Sequence, residues 1–500
     1  MSARTADDSE TLHPQTPVLV GVGLTQQRLE DPAQALEPIA LMIEAVRASG
    51  ADSGVPGLPA QAALLAVPQG LWAYGDPGRM IARAIGAAGA RTVLARIGVM
   101  QQSLIDQACS RIAAGEIEVA LVVGGEARYR ALRAQIAGGS APETADGGVP
   151  DLVLEPEAEL YLDAEVRALG HMPVGYYAII ESAFRAARGW SPDEHRDRLA
   201  ALYSRFSEIA AGNPHAWKRE RLAPELIRNP SAANRMLAFP YTKLHNSSWN
   251  VDQASALLFC SAARARALGV PRERWVFPVA SAESNHMLSL LQRPRLDRLP
   301  GAELTGRAVL QHAGLGVAEL DWVELYSCFP IAVELYAAEL GLPAGIDLTV
   351  TGGMPFAGGP LNNYLLHATG RMAELLRGRE AGSGLVSSVS GLLTKQSFAV
   401  WSRRAPAERF LCEDVTAQVA QAYPAARVVD RYTGTAVIQG CTVLYDGGRR
   451  RAAAVVALPD GARTMATADD PALLDAMERE EFCGRTIDIV DNHWGARYGS

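Results

Sequence analysis

The sequence predicts an α/β fold made of two pseudo-repeated halves, followed by a small β-rich domain. Short apolar runs alternate with stretches that are apolar at helical spacing, the pattern of strands covered by helices. That alternation appears twice, on either side of a long irregular excursion. Past Pro406 the pattern changes to a two-residue alternation interrupted by Asp-Gly and Gly-Gly turns.

Residues 17–23 (PVLVGVG) form the first predicted strand, with Gly21 and Gly23 read as turn residues. Residues 32–49 are apolar at helical spacing, and 62–67 make a second strand. Pro77 opens a helix to about residue 88, since proline suits a first helical turn. Residues 92–97 are a strand, 101–114 an amphipathic helix closed by Gly115, and 118–123 a strand ending in Gly124-Gly125. Repeated strand–helix–strand units favour a parallel sheet. From about 138 to 242 the alternation stops. This stretch holds prolines, an acidic patch at 155–165 and Arg-rich helical segments such as 192–211. Structureless loops that long are rare, so it reads as an inserted unit.

Residues 251–261 resume the order as an apolar element running into a helix. A second round follows: strand 275–280, helix 304–313, strand 322–326 leading into helix 329–340, helix 362–378, and strands 384–389 and 397–401. In the tail, 433–445, 452–458, 464–466 and 485–490 read as strands. A helix over 471–482 starts at proline after Asp469-Asp470. The predicted division is 15–270, with the insertion at about 138–242, then 271–410, then 413–500.

Composition narrows the function classes. A net charge of −8 with 48% hydrophobic residues is an ordinary soluble profile. The best basic cluster, Arg449-Arg450-Arg451, follows Gly447-Gly448 as the solvated exit of a hairpin, so nucleic acid is not an expected partner. No apolar run approaches the ~18 residues of a membrane helix. Residues 1–15 are polar and acidic, unlike a signal peptide. Cys109, Cys260, Cys328, Cys412, Cys441 and Cys483 lack metal spacing, which suits a reducing cytoplasm and predicts no metal site. No P-loop, HExxH or GxSxG is present, and Gly21-Val22-Gly23-Leu24 falls short of a dinucleotide fingerprint.

Five segments carry candidate chemistry. Gly124-Gly125-Glu126-Ala127 either admits a ligand to the backbone or ends a strand. Val323–Pro330 places Tyr326, Ser327 and Cys328 at a strand's C-terminal edge, where α/β proteins bind ligands, with an ordinary buried cysteine as the alternative. Gly352–Pro360 is a shaped loop delivering the chain to a helix. Beyond it, Asn362 and Asn363 read either as helix caps or as substrate donors. Ser387–Gln396 contains Lys395, one of only three lysines with Lys218 and Lys243. Phe239–Gln253, with His245, and the stretch around His286 are dense enough in polar and aromatic groups to line a pocket.

In their order along the chain these landmarks resemble the thiolase superfamily, closest to the sterol-carrier-type thiolases and the thiolase-like proteins with an additional C-terminal domain. Ile112–Glu116 through Gly124–Ala127 looks like the family's post-nucleophile segment, and Asn246–Gln253 like the segment closing the first half. Tyr326–Phe329 is similar to the Asn-Glu-Ala-Phe or His-Asp-Cys-Phe motif, Gly358-Gly359-Pro360 to Gly-His-Pro, and Ser388–Gly391 to Cys-x-Gly. The resemblance covers about residues 15–410, and the tail resembles the extra, barrel-like β domain.

The resemblance implies a five-layer αβαβα body and an acyl-CoA C-acyltransferase-family function, acting on or binding an acyl-CoA thioester. All four catalytic positions are changed: Gly98 stands near the nucleophile's place, Gly359 at the histidine's, Ser388 at the second cysteine's and Tyr326 at the third motif's. A conventional thiolase is therefore not expected. A non-catalytic acyl-CoA-binding or partner protein and an aldol-type C–C lyase are the alternatives. On the enzymatic reading Tyr326, His245 or His286 is the acid/base, with Lys395 or Lys243 lowering the tyrosine's pKa. Asn362, Asn363 and the backbone N–H groups of Gly98 and Gly391 would steady an oxyanion or enolate. Cys328, Gly358, Gly359, Ser388 and Lys395 would line the binding site. Coenzyme A thioester is the expected ligand, with no tightly held cofactor; monomer and homodimer stay open.

Overall fold

The computed structural model describes residues 12–156, 158 and 160–494. Residues 1–11 of the polar N-terminal run, and Glu157 and Glu159 of the acidic patch, lie outside the described residues. The strands of the first half are β1 (Pro17–Gln27), β2 (Leu64–Pro68), β3 (Arg91–Ala95), β4 (Val119–Ala127) and β5 (Leu152–Leu154). The excursion ends in β6 (Met236–Ala238) and β7 (Tyr241–Thr242), and β8 (Asp252–Ser261) follows. The second half supplies β9 (Phe277–Ser284), β10 (Trp322–Glu324), β11 (Ser383–Ser390), β12 (Lys395–Ser402) and β13 (Leu411–Asp414). The tail supplies β14 (Gly434–Asp446), β15 (Arg449–Ala457), β16 (Arg463–Ala468) and β17 (Thr486–Ile489).

The first sheet runs β1-β8-β4-β2-β3-β5 and the second β10-β11-β12-β9-β13. Helices Gln102–Ala113 and Tyr364–Arg377 touch both sheets and form the central layer. Helix Pro38–Asp52 packs on the outer face of the first sheet and Pro300–Ala313 on the second. Helix, sheet, helix, sheet, helix: the body has five layers.

The first sheet is mixed rather than parallel. β2, β3 and β4, linked by single crossover helices, pair in parallel, but β8 runs antiparallel to both β1 and β4. The crossover rule constrains strands joined by one helix; β8 is reached through the whole excursion and enters from the opposite end.

Two glycine readings are corrected. Gly21 and Gly23 lie within β1, and an added Cβ would fall 2.1 Å from the Ser49 carbonyl oxygen and 1.8 Å from that of Ala45. They let helix Pro38–Asp52 close onto the strand; they do not turn the chain. Gly124 and Gly125 likewise lie inside β4, where a Cβ would meet Asn363 and Ala254. They are packing glycines.

The tail is fastened to the body. Its sheet runs β16-β15-β14-β6-β7, with β17 beside β14, so strands of the excursion and the tail share one sheet. Glu413 and Asp414, at the predicted start of the tail, pair with Ala282 and Glu283 of the second sheet. Cys109 is fully buried in the interior, as its helix face predicts. Among the described residues no helix is long and apolar enough to cross a membrane.

Candidate functional site

The second half positions its loops through one buried carboxylate. Glu324, at the end of β10, accepts hydrogen bonds from the Val350 and Thr351 N–H groups (2.7 and 3.0 Å), Thr349 Oγ1 (2.9 Å) and the Tyr364 hydroxyl (2.6 Å). Burial raises its pKa, and the four donors oppose that rise. Thr349 Oγ1 in turn accepts the Gly352 and Gly353 N–H groups, each at 3.0 Å. Gly352 has φ +98°, and a Cβ there would lie 2.3 Å from Ala210 Cβ, so only glycine fits. The Met354 N–H donates to Ser327 Oγ at 2.9 Å, and the Gly359 N–H to the Ser248 carbonyl at 2.9 Å. The Gly-rich loop is thus pinned from three sides. Glu324 is a residue to which the sequence reading gave no role.

The two halves meet at Gly98. Its carbonyl accepts from Lys395 Nζ at 2.8 Å and from Ser390 Oγ at 3.0 Å. Lys395 is buried and also acts on the Glu283 carboxylate. Ser103 Oγ donates to that carboxylate at 2.6 Å, and Ser281 Oγ and Gln102 Nε2 donate to Asp106, each at 2.8 Å. Burial, then the Glu283 charge, pushes Asp106 up to about 8. Asp106, buried, and Glu283, half-buried, act on each other electrostatically. Sequence reasoning missed both, although Asp106 stands one turn after Gln102 and Glu283 precedes His286 in a stretch already singled out.

Tyr326 is buried, its ring edge-on to Tyr364 at 5.4 Å and its N–H donating to Ser387 Oγ at 2.8 Å. Burial, then the neighbouring Cys328, raises its phenol pKa, while a hydrogen bond to Gln101 lowers it. The expected activation by lysine is therefore corrected: Lys395 is turned to Gly98, and Lys243 is exposed. Burial pushes the Cys328 thiol up to about 12, with Tyr177 hydrogen-bonded to it. Tyr177, Tyr203, Tyr326 and Tyr336 all feel the charge of that sulfur. Ser388 is buried with its Oγ unpartnered, and its carbonyl accepts from the Tyr336 hydroxyl at 2.9 Å.

The remaining candidates are held by other partners, except that Gly391 lies against Lys395. His245 Nδ1 accepts from the Thr242 N–H at 3.1 Å, and burial lowers its pKa to about 3, so it is neutral near pH 7. His286 Nε2 lies 3.0 Å from the Tyr423 carbonyl, at the junction with the tail. Asn362 Nδ2 donates to the Gln69 carbonyl at 2.7 Å, binding the second half's loop to the first. Asn363, at the helix N-cap, does not cap with its side chain; Nδ2 reaches Ser255 Oγ at 3.3 Å. Gly358 abuts Gln253, and Gly391 packs beside Met287 and Thr394. A cleft of about 170 Å³ lies elsewhere, lined by Val279, His312, Val400 and Pro406 among others.

A cationic and aromatic rim borders the Gly-rich loop. Lys218 Nζ donates to Ser248 Oγ at 2.7 Å and to the Pro355 carbonyl at 3.3 Å. Burial, then Lys243 and Arg28, lowers it to about 8. The Arg28 guanidinium sits 5.3 Å from the Trp217 ring centre, and that of Arg128 5.4 Å from Trp249, which is 48% exposed. Lys218 is the third of the chain's scarce lysines and had no assigned role; its rarity was the available signal.

Residues 414–493 match the family model of the thiolase-like protein type 1 additional C-terminal domain. Over 184 residues the chain is 27% identical to the benzoylsuccinyl-CoA thiolase subunit BbsB of Thauera aromatica, covering 36% of this chain and 44% of that relative's length. It is similar to the solved structure of a monomeric SCP2-thiolase like protein type 1 from Mycobacterium smegmatis. The TM-score is 0.81 at 28% identity, over 96% of this chain and 98% of the other. The Ltp2–ChsH2(DUF35) aldolase shares the fold, with a TM-score of 0.59 at 18% identity over 77% of this chain and 98% of that one.

Proposed function

We propose that this chain, a thiolase-like protein with the additional C-terminal domain, binds an acyl-CoA thioester without forming a cysteine acyl-enzyme. The observation that carries this reading is the rim of Arg28, Lys218 and Lys243 with the exposed Trp249, set beside the Gly-rich loop. Coenzyme A offers such a rim its phosphates and adenine, as partners for cations and for an exposed aromatic face. On the resemblance, Gly98, Gly359, Ser388 and Tyr326 replace the four catalytic groups, and Cys328 stays a thiol near pH 7 because its pKa is about 12.

A C–C lyase is the second reading, favoured by the Asp106–Glu283 pair. A carboxyl kept protonated by burial and by a neighbouring carboxylate is of the kind that general acid catalysis uses. Tyr326, His245 and His286 are then not its acid/base groups.

Incubation with a panel of acyl-CoA thioesters, followed by mass spectrometry of products and protein and by calorimetric titration, tests both readings. Saturable binding with no protein adduct is expected. Products without an adduct, lost in Asp106→Asn, would select the lyase. An acyl adduct on any cysteine, or no binding at millimolar CoA thioester, would overturn the proposal.

A further inference from the structure

Away from the Gly98 centre, three helices bring Glu181, His195 and Glu334 together. Glu181 is on helix Pro173–Ala187, His195 on Pro192–Gly212 and Glu334 on Pro330–Leu340. One donor atom from each lies within 4.8 Å of the other two. His195 Nε2 is 2.6 Å from Glu181 Oε1 and 3.8 Å from Glu334 Oε2, with side-chain exposures of 1%, 0% and 15% for His195, Glu181 and Glu334. Stacking of Trp190 on the imidazole, centroids 5.5 Å apart, holds the ring in place.

Two carboxylates enclosed this closely repel unless a proton or a cation lies between them. The nearest arginines by charge, Arg188 and Arg198, are engaged elsewhere: Arg188 lies over Phe184, and Arg198 bonds Glu194 and lies over Trp190. Tyr241 already donates its hydroxyl to Glu181. Glu334 Oε2, the oxygen facing His195, is buried and has no hydrogen-bond partner among the described residues. The Tyr203 hydroxyl, fully buried and likewise unpartnered, feels the charge of both carboxylates. The two carboxyls also hydrogen-bond each other, yet Glu334 Oε2, the Tyr203 hydroxyl and His195 Nδ1 remain buried without partners among the described residues.

We propose that Glu181, His195 and Glu334 bind a divalent transition-metal ion, with Zn²⁺ the best match to one imidazole nitrogen and two carboxylate oxygens. The ligands come from two helices of the excursion and one of the second half, so the ion clamps the excursion to the body. Because metal held by the folded chain alone adds to its stability, the site is visible without any activity assay.

The test uses the untagged full chain, stripped with chelator, reloaded with Zn²⁺, desalted and analysed by inductively coupled plasma mass spectrometry. About one ion per chain is expected to remain, with a higher melting temperature than in the stripped protein. Glu334→Gln, which imitates a protonated glutamate and so tolerates a shared proton, is expected to retain none and to melt at the same temperature with and without zinc. Glu194→Gln, on the exposed face nearby, keeps the ion. Co²⁺ added to the stripped wild-type chain is expected to give visible d–d bands, a readout that needs no variant. Failure of the wild-type chain to retain zinc, full retention by Glu334→Gln, or no Co²⁺ bands at equimolar metal would overturn the proposal and leave a shared proton in the cluster.

Discussion

Lys395 Nζ of the second half donates to the Gly98 carbonyl of the first at 2.8 Å, tying the halves together where the resemblance puts the nucleophile. Lys395→Met removes this charged hydrogen bond and takes away a positive charge that acts on the half-buried Glu283 carboxylate. The unfolding free energy is expected to fall by about 1.5–3 kcal/mol, measured by urea denaturation. A loss below about 0.5 kcal/mol would mean that Ser390 alone suffices to hold Gly98.

Asp106 makes stability depend on pH. Its folded-state pKa is about 8 against an ordinary 3.8, so its contribution is complete below about pH 4 and is lost as the pH rises toward 8. Asp106→Asn has no such proton to lose. Its stability curve between pH 5 and pH 8 is expected to be flatter than the wild type's by up to about 1.4 kcal/mol per pH unit. Parallel curves would place the titration elsewhere.

Lys218 gives ligand binding its own pH dependence. With a pKa lowered to about 8, its ammonium is charged at pH 7 and neutral well above pH 9. Affinity for CoA is expected to weaken as the pH rises past 8. Lys218→Met should cost about tenfold in Kd at pH 7, or about 1.4 kcal/mol, and abolish that dependence. Calorimetry at three pH values checks this; an unchanged profile in the variant would remove Lys218 from the rim.

Gly352→Ala tests the loop. The new Cβ meets Ala210 at 2.3 Å on a backbone with φ +98°, and a stability loss of about 3 kcal/mol or more is expected. Gly57→Ala, with nothing within 4 Å, is the control and is expected to stay within about 0.5 kcal/mol of wild type. Equal melting temperatures for the two variants would show that the loop yields.

Most elements were legible because apolar periodicity is local. The continuous apolar run at 119–123 and the helical spacing at 101–114 each need only a dozen neighbours, and both elements lie where predicted. The glycines of β1 were misread for the same reason. Gly21 and Gly23 answer to Ala45 and Ser49 on a helix whose approach no local window records. The antiparallel course of β8 was hidden in the excursion that precedes it.

The candidate site divides along the same line. Motif order along the chain was enough to indicate a thiolase-like body and an additional C-terminal domain, because the spacing of Tyr326–Phe329, Gly358–Pro360 and Ser388–Gly391 is a property of the string itself. Protonation and partnership are not. Tyr326 keeps its proton because burial opposes its ionisation and Lys395 is turned to Gly98; Asp106 keeps its own because it is buried and because the charge of Glu283, far along the chain, acts on it. Glu181, His195 and Glu334 come from three helices and meet only on folding. Charges act through space, over distances that sequence separation does not measure, so only the tertiary structure decided which groups are ionised and which of them meet.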